Sequence, residues 1–330
     1  MNSTLHRLAV AATLVAFVVI VLGAFVRLSD AGLGCPDWPG CYGKLTWPKE
    51  THEIASANEA FPERPVEHHK AWKEMVHRYL AGILVLLVLA INFVAWRGVS
   101  DRPRFRILAA AILALILFQA ALGMWTVTLK LLPLVVMAHL LGGLTLFALL
   151  AWLAFRSGIS VHYAPGLPLR RLRPWIAAGL VILIAQIALG GWTSANYAAL
   201  ACPDFPTCHG QYLPDTQFRD AFTLWREVGV DYEGGVLDLR SRVTIHFAHR
   251  VGAIVTFLVL LAVAVRLMRT PATQRGGGLL VFLLVTQITL GILNIVLQLP
   301  LPNAVAHNGV AALLLLHLIW LFNKASPGRP

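Results

Sequence analysis

Cys35-Pro-Asp-Trp-Pro-Gly-Cys41 and Cys202-Pro-Asp-Phe-Pro-Thr-Cys208 are one seven-residue motif written twice, 167 residues apart. Upstream of each, Gly23-Ala-Phe and Gly190-Gly-Trp stand at the same offset. Downstream, Gln119-x-x-Leu-Gly123 is followed sixteen residues later by His139, and Gln287-x-x-Leu-Gly291 sixteen residues later by His307, at an offset of 168. His77-Arg78 and His249-Arg250 lie between these landmarks, 172 residues apart. Self-similarity at a fixed period sets the architecture. The chain is read as two homologous halves, 1–160 and 170–330.

Composition says what medium the halves occupy. Of 330 residues, 58% are hydrophobic and 13% charged, with a mean hydropathy of +0.70. Soluble domains carry about 25% charged residues, so a soluble globular chain is excluded, and so are disordered and fibrous ones. Apolar runs long enough to cross a bilayer, about 20 residues as a helix, recur near 8–27, 75–96, 107–127, 134–155, 174–194, 244–265, 277–297 and 304–323. The first is too long for a removable signal and lacks its small-residue cleavage site, so it is read as a permanent span. The expected fold is an all-α polytopic membrane protein, its eight transmembrane helices forming two tandem four-helix bundles. Four is even, so both halves start on the same face, related by a pseudo-twofold axis along the membrane normal. Each half has a long outer segment (28–74 and 195–243), rich in Pro, Gly and aromatics and expected to form an ordered cap. Each also has a short outer connection (128–133 and 298–303).

The net charge of +11 invites a nucleic-acid reading that its distribution opposes. The inner segments 1–7, 97–106, 156–173, 266–276 and 324–330 hold 14 of the 27 Lys and Arg and one of the 16 acids, Asp101. They therefore carry +13, and the remainder carries −2. That asymmetry is the positive-inside pattern. It places both termini inside and the cysteine loops outside, with the lipid bilayer rather than nucleic acid as the partner.

Four of the twelve histidines fall at matched positions within spans: His77, His139, His249 and His307. Each is expected about one turn below the outer end of its helix. Ionisable groups at membrane depth are costly and usually functional. A lone intramembrane His is readily a satisfied core residue, but two matched pairs are harder to explain that way. Paired imidazoles from facing helices of a bundle suit axial ligation of a haem iron. Zinc wants a third or fourth ligand nearby, and the cysteines lie in loops; another metal or a proton path stays as the competing reading. His52, His68, His69 and His209 fall in outer loops, and His6, His162 and His317 towards the inner side.

Glu74 breaks the symmetry. The second span opens Glu74-Met-Val-His77-Arg78, its counterpart His246-Phe-Ala-His249-Arg250. A spacing of three puts Glu74 beside His77 on one helix face, above the edge of a haem held there. An interfacial acid on the helix dipole is the alternative. The asymmetry points to reaction chemistry in the N-terminal half and electron transfer in the C-terminal half. Arg78 and Arg250 are candidates for haem propionates, with snorkelling to the interface as the rival account.

The Cys-x5-Cys pairs match neither zinc nor haem-attachment spacing and are compatible with intra-loop disulfides in an oxidising compartment. Cys202–Cys208 reads as a structural staple. Cys35–Cys41, above the reaction site, leaves a redox role open. Gln119, Gln186 and Gln287 share Gln-x-x-Leu-Gly and are read as helix-packing devices. No nucleotide-binding or serine-nucleophile motif is present.

Taken together, Val26-Arg-Leu-Ser-Asp-Ala-Gly-Leu-Gly-Cys-Pro-Asp-Trp-Pro-Gly-Cys41, Glu74-x-x-His77-Arg78, His139, His249-Arg250 and His307 resemble the haem A synthases of aerobic bacteria and mitochondria, over nearly the whole chain. The resemblance implies substrate haem o between His77 and His139, and a resident haem b between His249 and His307. It implies oxidation of the haem o C8 methyl to a formyl group through a hydroxymethyl stage, giving haem a for cytochrome oxidase. A bacterial inner membrane, a haem o synthase as supplier and an electron acceptor or donor are further implications; the sequence gives neither the acceptor's identity nor the homo-oligomeric state. The main alternative is a di-haem b cytochrome subunit taking electrons from quinol, with the same four histidines and no substrate turnover. A repeat-built transporter is the other, and it would be colourless.

Overall fold

The structure, a computed structural model, describes residues 3–97, 103–158 and 167–326. Asp101, Arg102, His162 and Arg329, used above, lie outside them. Among the described residues the elements are helices α1 (Ser3–Leu28), α2 (Thr51–Ala60), α3 (His68–Arg97), α4 (Pro103–Thr128), α5 (Pro133–Ser157), α6 (Leu167–Ala195), α7 (Phe218–Ala221), α8 (Leu239–Met268), α9 (Gln274–Val296) and α10 (Leu301–Ala325). The eight long helices are apolar enough to cross a membrane; α2 and α7 are short cap helices.

The helix ends follow local chemistry. Proline occupies the first turn of α5 and of α10, where its missing N–H costs nothing. The Asp238 carboxylate accepts from the Ser241 N–H at 2.6 Å and caps α8. At the C-terminal ends of α1 and α6, Asp30 and Tyr197 adopt left-handed backbone (φ 49° and 52°), and 2.9 Å bonds run from Ala31 N–H to Val26 O and from Ala198 N–H to Thr193 O. The C-terminal ends of α4 and α9 repeat one another too: Lys130–Leu131 and Gln298–Leu299 are all left-handed, 168 residues apart. The sequence repeat is thus a repeat of backbone conformation, down to residues that ordinarily avoid φ > 0.

Two expectations need correction. α3 begins at His68 and α8 at Leu239, seven and five residues before the apolar runs suggested. His77 and His249 are therefore two to three turns into their helices, not one, and His68 and His69 open α3 instead of lying in a loop. The polar first turns stay helical because the cap packs on them: Ala71 is fully buried, and a Cβ on Gly34 would stand 2.7 Å from the Lys70 carbonyl carbon. α6 likewise starts early and carries Pro174 within it.

In the first half α1 packs on α3 and α5, and α4 on α3 and α5; in the second, α6 packs on α8 and α10, and α9 on α8 and α10. These are the same closed ring of four. The halves meet through α1–α10, α5–α6 and α5–α10. Exchanging α1 with α6 and α5 with α10 leaves that list unchanged, which is compatible with a pseudo-twofold. One buried core containing Phe147, Leu150, Leu260 and Leu318 runs through both rings. Leu14, Leu86, Phe93, Val181 and Phe282 are more than half exposed, as lipid-facing side chains must be.

The two caps interlock. Tyr232, from the second cap, is buried against Leu33, Val127 and Leu132, and its N–H donates to Lys130 O at 3.0 Å. Arg64, from the first cap, pairs with Asp231 and with Glu233 (2.8 Å), and Lys70 reaches Glu233 at 3.2 Å. Burial alone would raise the Glu233 carboxyl, but hydrogen bonds from Arg64 and Lys70 outweigh it and hold it below its ordinary value. Such a depressed group contributes its stability above the unfolded value, about 4.3, and loses it as pH falls through the lower folded value. Amide exchange at Tyr232 is therefore expected to accelerate on acidification below about pH 4. Exchange that is independent of pH, after correction for intrinsic rates, would remove the electrostatic latch.

Candidate functional site

Each of the four expected ligands rests on a glycine of a neighbouring helix. A Cβ placed on Gly23 (α1) would lie 3.1 Å from His77 Cε1 (α3), and one on Gly190 (α6) 3.0 Å from His249 Cε1 (α8). The other two contacts are Gly123 (α4) with His139 (α5) at 3.4 Å, and Gly291 (α9) with His307 (α10) at 3.1 Å. Those glycines are the repeat landmarks of the sequence, and the contact explains them: a side chain there would crowd the Cε1 edge of the ring. His77 lies within electrostatic range of His139, and His249 within range of His307. His77 and His139 belong to helices of the first ring of four, and His249 and His307 to helices of the second. Gly190→Val should push His249 aside and lower the haem-to-protein ratio of the purified chain severalfold, read from its pyridine haemochrome. Unchanged haem content would show the contact to be incidental.

Do these residues fit a haem iron? Buried Nδ1 atoms of His77, His139 and His307 have no hydrogen-bond partner. Leaving a buried polar atom unpaired costs about 1–3 kcal/mol, and metal ligation by the imidazole relieves that kind of deficit. Among the described residues no group of three or more His, Cys, Asp or Glu is arranged to hold a bare metal ion. The donor set is paired imidazoles, which suits a porphyrin that brings its own four nitrogens.

The glutamines do more than the sequence reading allowed. A Gln four residues before each cradling glycine lies on the same helix face. Gln186 Nε2 accordingly donates to His249 Nδ1 at 3.0 Å, and Gln287 Nε2 to His307 Nε2 at 3.2 Å. The N-terminal half lacks both contacts: Val19 stands four residues before Gly23, and the Gln119 amide packs against Gly142 with its Nε2 unpaired. The spacing contained this signal, but helix packing accounted for it equally well. His317 and His6, each within a helix, are satisfied groups, on Gly276 O at 2.9 Å and on Ala154 O at 3.1 Å.

Above each pair the disulfide loop is clamped in the same way. Cys35–Cys41 and Cys202–Cys208 are bridged, with Cα–Cα separations of 4.8 and 4.7 Å, and all four cysteines are buried. Asp37 accepts from Tyr42 N–H (2.6 Å) and Gly43 N–H (2.7 Å); Asp204 accepts from His209 N–H (2.7 Å) and Gly210 N–H (2.9 Å). Hydrogen bonds from Thr207 and those amides hold the Asp204 carboxyl well below the usual range. Arg78 donates to the carbonyls of Asp37 (2.9 Å), Pro39 (3.2 Å) and Gly40. Arg250 donates to those of Thr207 (2.7 Å), Cys202 (2.9 Å) and Asp204 (2.8 Å). Neither guanidinium snorkels; each is tied to its own loop.

Glu74 is 5% exposed. Its Oε2 accepts from Cys35 N–H at 2.9 Å, and its Oε1 pairs with Arg78. His246 mirrors it, with Nδ1 3.2 Å from Cys202 N and Nε2 3.3 Å from Arg250 Nε, one of the two nitrogens accepting in the neutral ring. Both residues anchor a loop, a job the sequence reading did not foresee; only Glu74 brings a carboxylate to it.

A family model described as cytochrome oxidase assembly protein matches residues 6–319. The chain belongs to that family. Within this assembly-protein family it is similar to the heme A synthase of Shewanella oneidensis, 50% identical over 312 residues that cover 93% of this chain and 94% of that protein. It is also similar to the heme A synthases of Shouchella clausii, 30% identical over 65% of this chain and 67% of that protein, and Allorhizobium ampelinum, 28% identical over 91% and 84%.

Proposed function

We propose that this protein is a haem A synthase of the bacterial inner membrane, oxidising the C8 methyl of haem o to a formyl group through a hydroxymethyl stage. The observation that carries the reading is the set of four imidazoles, each on a glycine of the next helix, at matched places in both repeats. In this reading residues 1–160 hold substrate haem o between His77 and His139, and residues 170–330 hold a resident haem b between His249 and His307. The termini lie in the cytoplasm and the disulfide loops outside.

When bound, the resident haem supplies one-electron chemistry that passes electrons from substrate to an acceptor. The chain does the rest. Gln186 and Gln287 fix the C-terminal rings in place through a hydrogen bond at one nitrogen of each, Nδ1 of His249 and Nε2 of His307. The N-terminal imidazoles have no amide partner of this kind, as suits a ligand pair that must release its porphyrin every turnover. Haem o closed on both faces by His77 and His139 has no open iron position for dioxygen unless one ligand leaves. Withdrawal of two electrons and one proton from the methyl group, followed by attack of water and loss of a second proton, is therefore favoured for the hydroxymethyl stage; a second loss of two electrons and two protons reaches the formyl level, all four electrons leaving to the acceptor. Glu74 is the catalytic carboxylate in this scheme, stabilising developing positive charge or accepting a proton. Arg78 and Arg250, bound to their loop carbonyls, would add positive charge that favours haem propionates, and a haem o synthase is the supplier.

The experiment is expression with a haem o source, followed by extraction and chromatography of the pigments. Haem b together with haem o and its hydroxymethyl or formyl forms is expected. Haem b alone would instead identify a di-haem cytochrome, and a colourless protein a transporter. Formyl oxygen drawn from isotope-labelled water is the expected outcome, and label from dioxygen would overturn the water step.

A further inference from the structure

Arg27 and Ser194 occupy the same position of the two repeats, as do Asp30 and Tyr197. All four meet at one place, the outer junction of α1 and α6. Arg27 donates to Ser194 O at 2.5 Å, its guanidinium lies 4.0 Å above the Tyr197 ring, and it reaches Asp30 at 3.6 Å. A residue of one half thus crosses to its own counterpart in the other, as happens only near the axis that relates them. Arg27 stands one turn outward of Gly23 on the same helix face, and Ser194 one turn outward of Gly190. Those glycines carry His77 and His249 respectively. The junction therefore sits over both histidine pairs at once.

Its hydrogen bonding is incomplete. Arg27 Nε and Tyr197 Oη are both buried and both lack a partner. Tying α1 to α6 explains the Ser194 bond, since a cation at a helix C-terminus is favourable, but it leaves these two groups unpaired. Each can donate, one of them from a charged group, and a buried donor left unpaired is costly. The missing group is an acceptor, and an anionic one. Asp30 does not supply it: its side chain is 56% exposed and faces Nη1.

We propose that Arg27 and Tyr197 form a carboxylate seat shared by the two halves, which receives a propionate of a bound porphyrin. This rests on the haem reading above, and adds to it a cation placed between the two sites. Arg78 and Arg250 spend their donors on loop carbonyls, whereas this pair has donors to give. The propionate belongs either to substrate in the N-terminal half or to the resident haem in the C-terminal half.

The test uses Arg27→Gln, Arg27→Lys and Tyr197→Phe, each purified once without haem o supply and once with it. The readouts are midpoint potential by spectroelectrochemistry and porphyrin transfer to an excess of apomyoglobin. Arg27→Gln should lower the potential of the haem whose propionate is seated, because a nearby positive charge favours the reduced form. It should also speed transfer roughly tenfold or more, as expected for a lost charge-assisted bond. Arg27→Lys should restore most of the potential. Tyr197→Phe keeps the ring under the guanidinium and should speed transfer by a smaller factor without shifting the potential comparably. An effect already present without haem o assigns the resident haem; an effect only with it assigns the substrate. Potentials and transfer rates unchanged in both arms would overturn the seat while leaving the haem reading intact. A wild-type protein that carries no porphyrin would defeat the haem reading itself.

Discussion

His249→Ala and His307→Ala should each strip the purified protein of its resident haem, while His77→Ala and His139→Ala keep that haem and make no haem a. The asymmetry is the point. Loss of an outer partner of a metal ligand costs 10–100-fold in affinity, so loss of the ligand itself should cost at least about a hundredfold. In the C-terminal half each ring is steadied by a glutamine amide, and haem content reports the loss directly. In the N-terminal half the rings lack that support, the ligand is substrate, and the effect falls on turnover. Measuring haem b per chain together with haem a yield separates the cases. Equal loss of haem b from all four variants would contradict the division of labour.

The second large effect concerns Glu74, where two roles must be separated. Glu74→Ala removes the acceptor of Cys35 N–H and leaves the partly buried Arg78 guanidinium without its carboxylate. Breaking a buried pair in this way costs about 3–5 kcal/mol, so this variant should lose both the loop and the activity. Glu74→Gln keeps an acceptor for Cys35 N–H. Glu74→His copies the His246 arrangement, which anchors the equivalent loop without a carboxylate. Both should retain a protected Cys35–Cys41 loop and bound substrate porphyrin, yet lower the rate of formyl formation by about 10²–10⁴, the range for a missing acid–base group. Normal turnover by Glu74→His would make Glu74 a loop anchor and nothing more.

The elements that sequence pattern specifies best are those with a long signal. Eight apolar runs and a repeat offset of 167–172 residues are enough for eight spans in two fours, because burial in lipid leaves the backbone no alternative to the helix. The four matched histidines stood out for the same reason, since a repeated polar residue in an apolar run has few explanations. The starts of α3 and α8 were not legible. Their first turns are polar; that of α3 is helical with Gly34 pressing on it from a distant loop, and that of α8 with Asp238 capping it. The double duty of Glu74 was hidden in the same way, because its partner, the Cys35 amide, is a backbone group 39 residues away. Gln186 and Gln287 stood in plain view, yet only the fold shows that a residue four before a cradling glycine falls on the ring that the glycine carries.

Low-temperature EPR of the oxidised protein, purified with and without haem o supply, is the most direct measurement of the whole account. It should show a low-spin bis-imidazole signal from the resident haem, joined by a second one when haem o is supplied. The first should vanish in His249→Ala and the second in His77→Ala. A purely high-spin spectrum, or low-spin signals that survive in a chain lacking all four histidines, would contradict it.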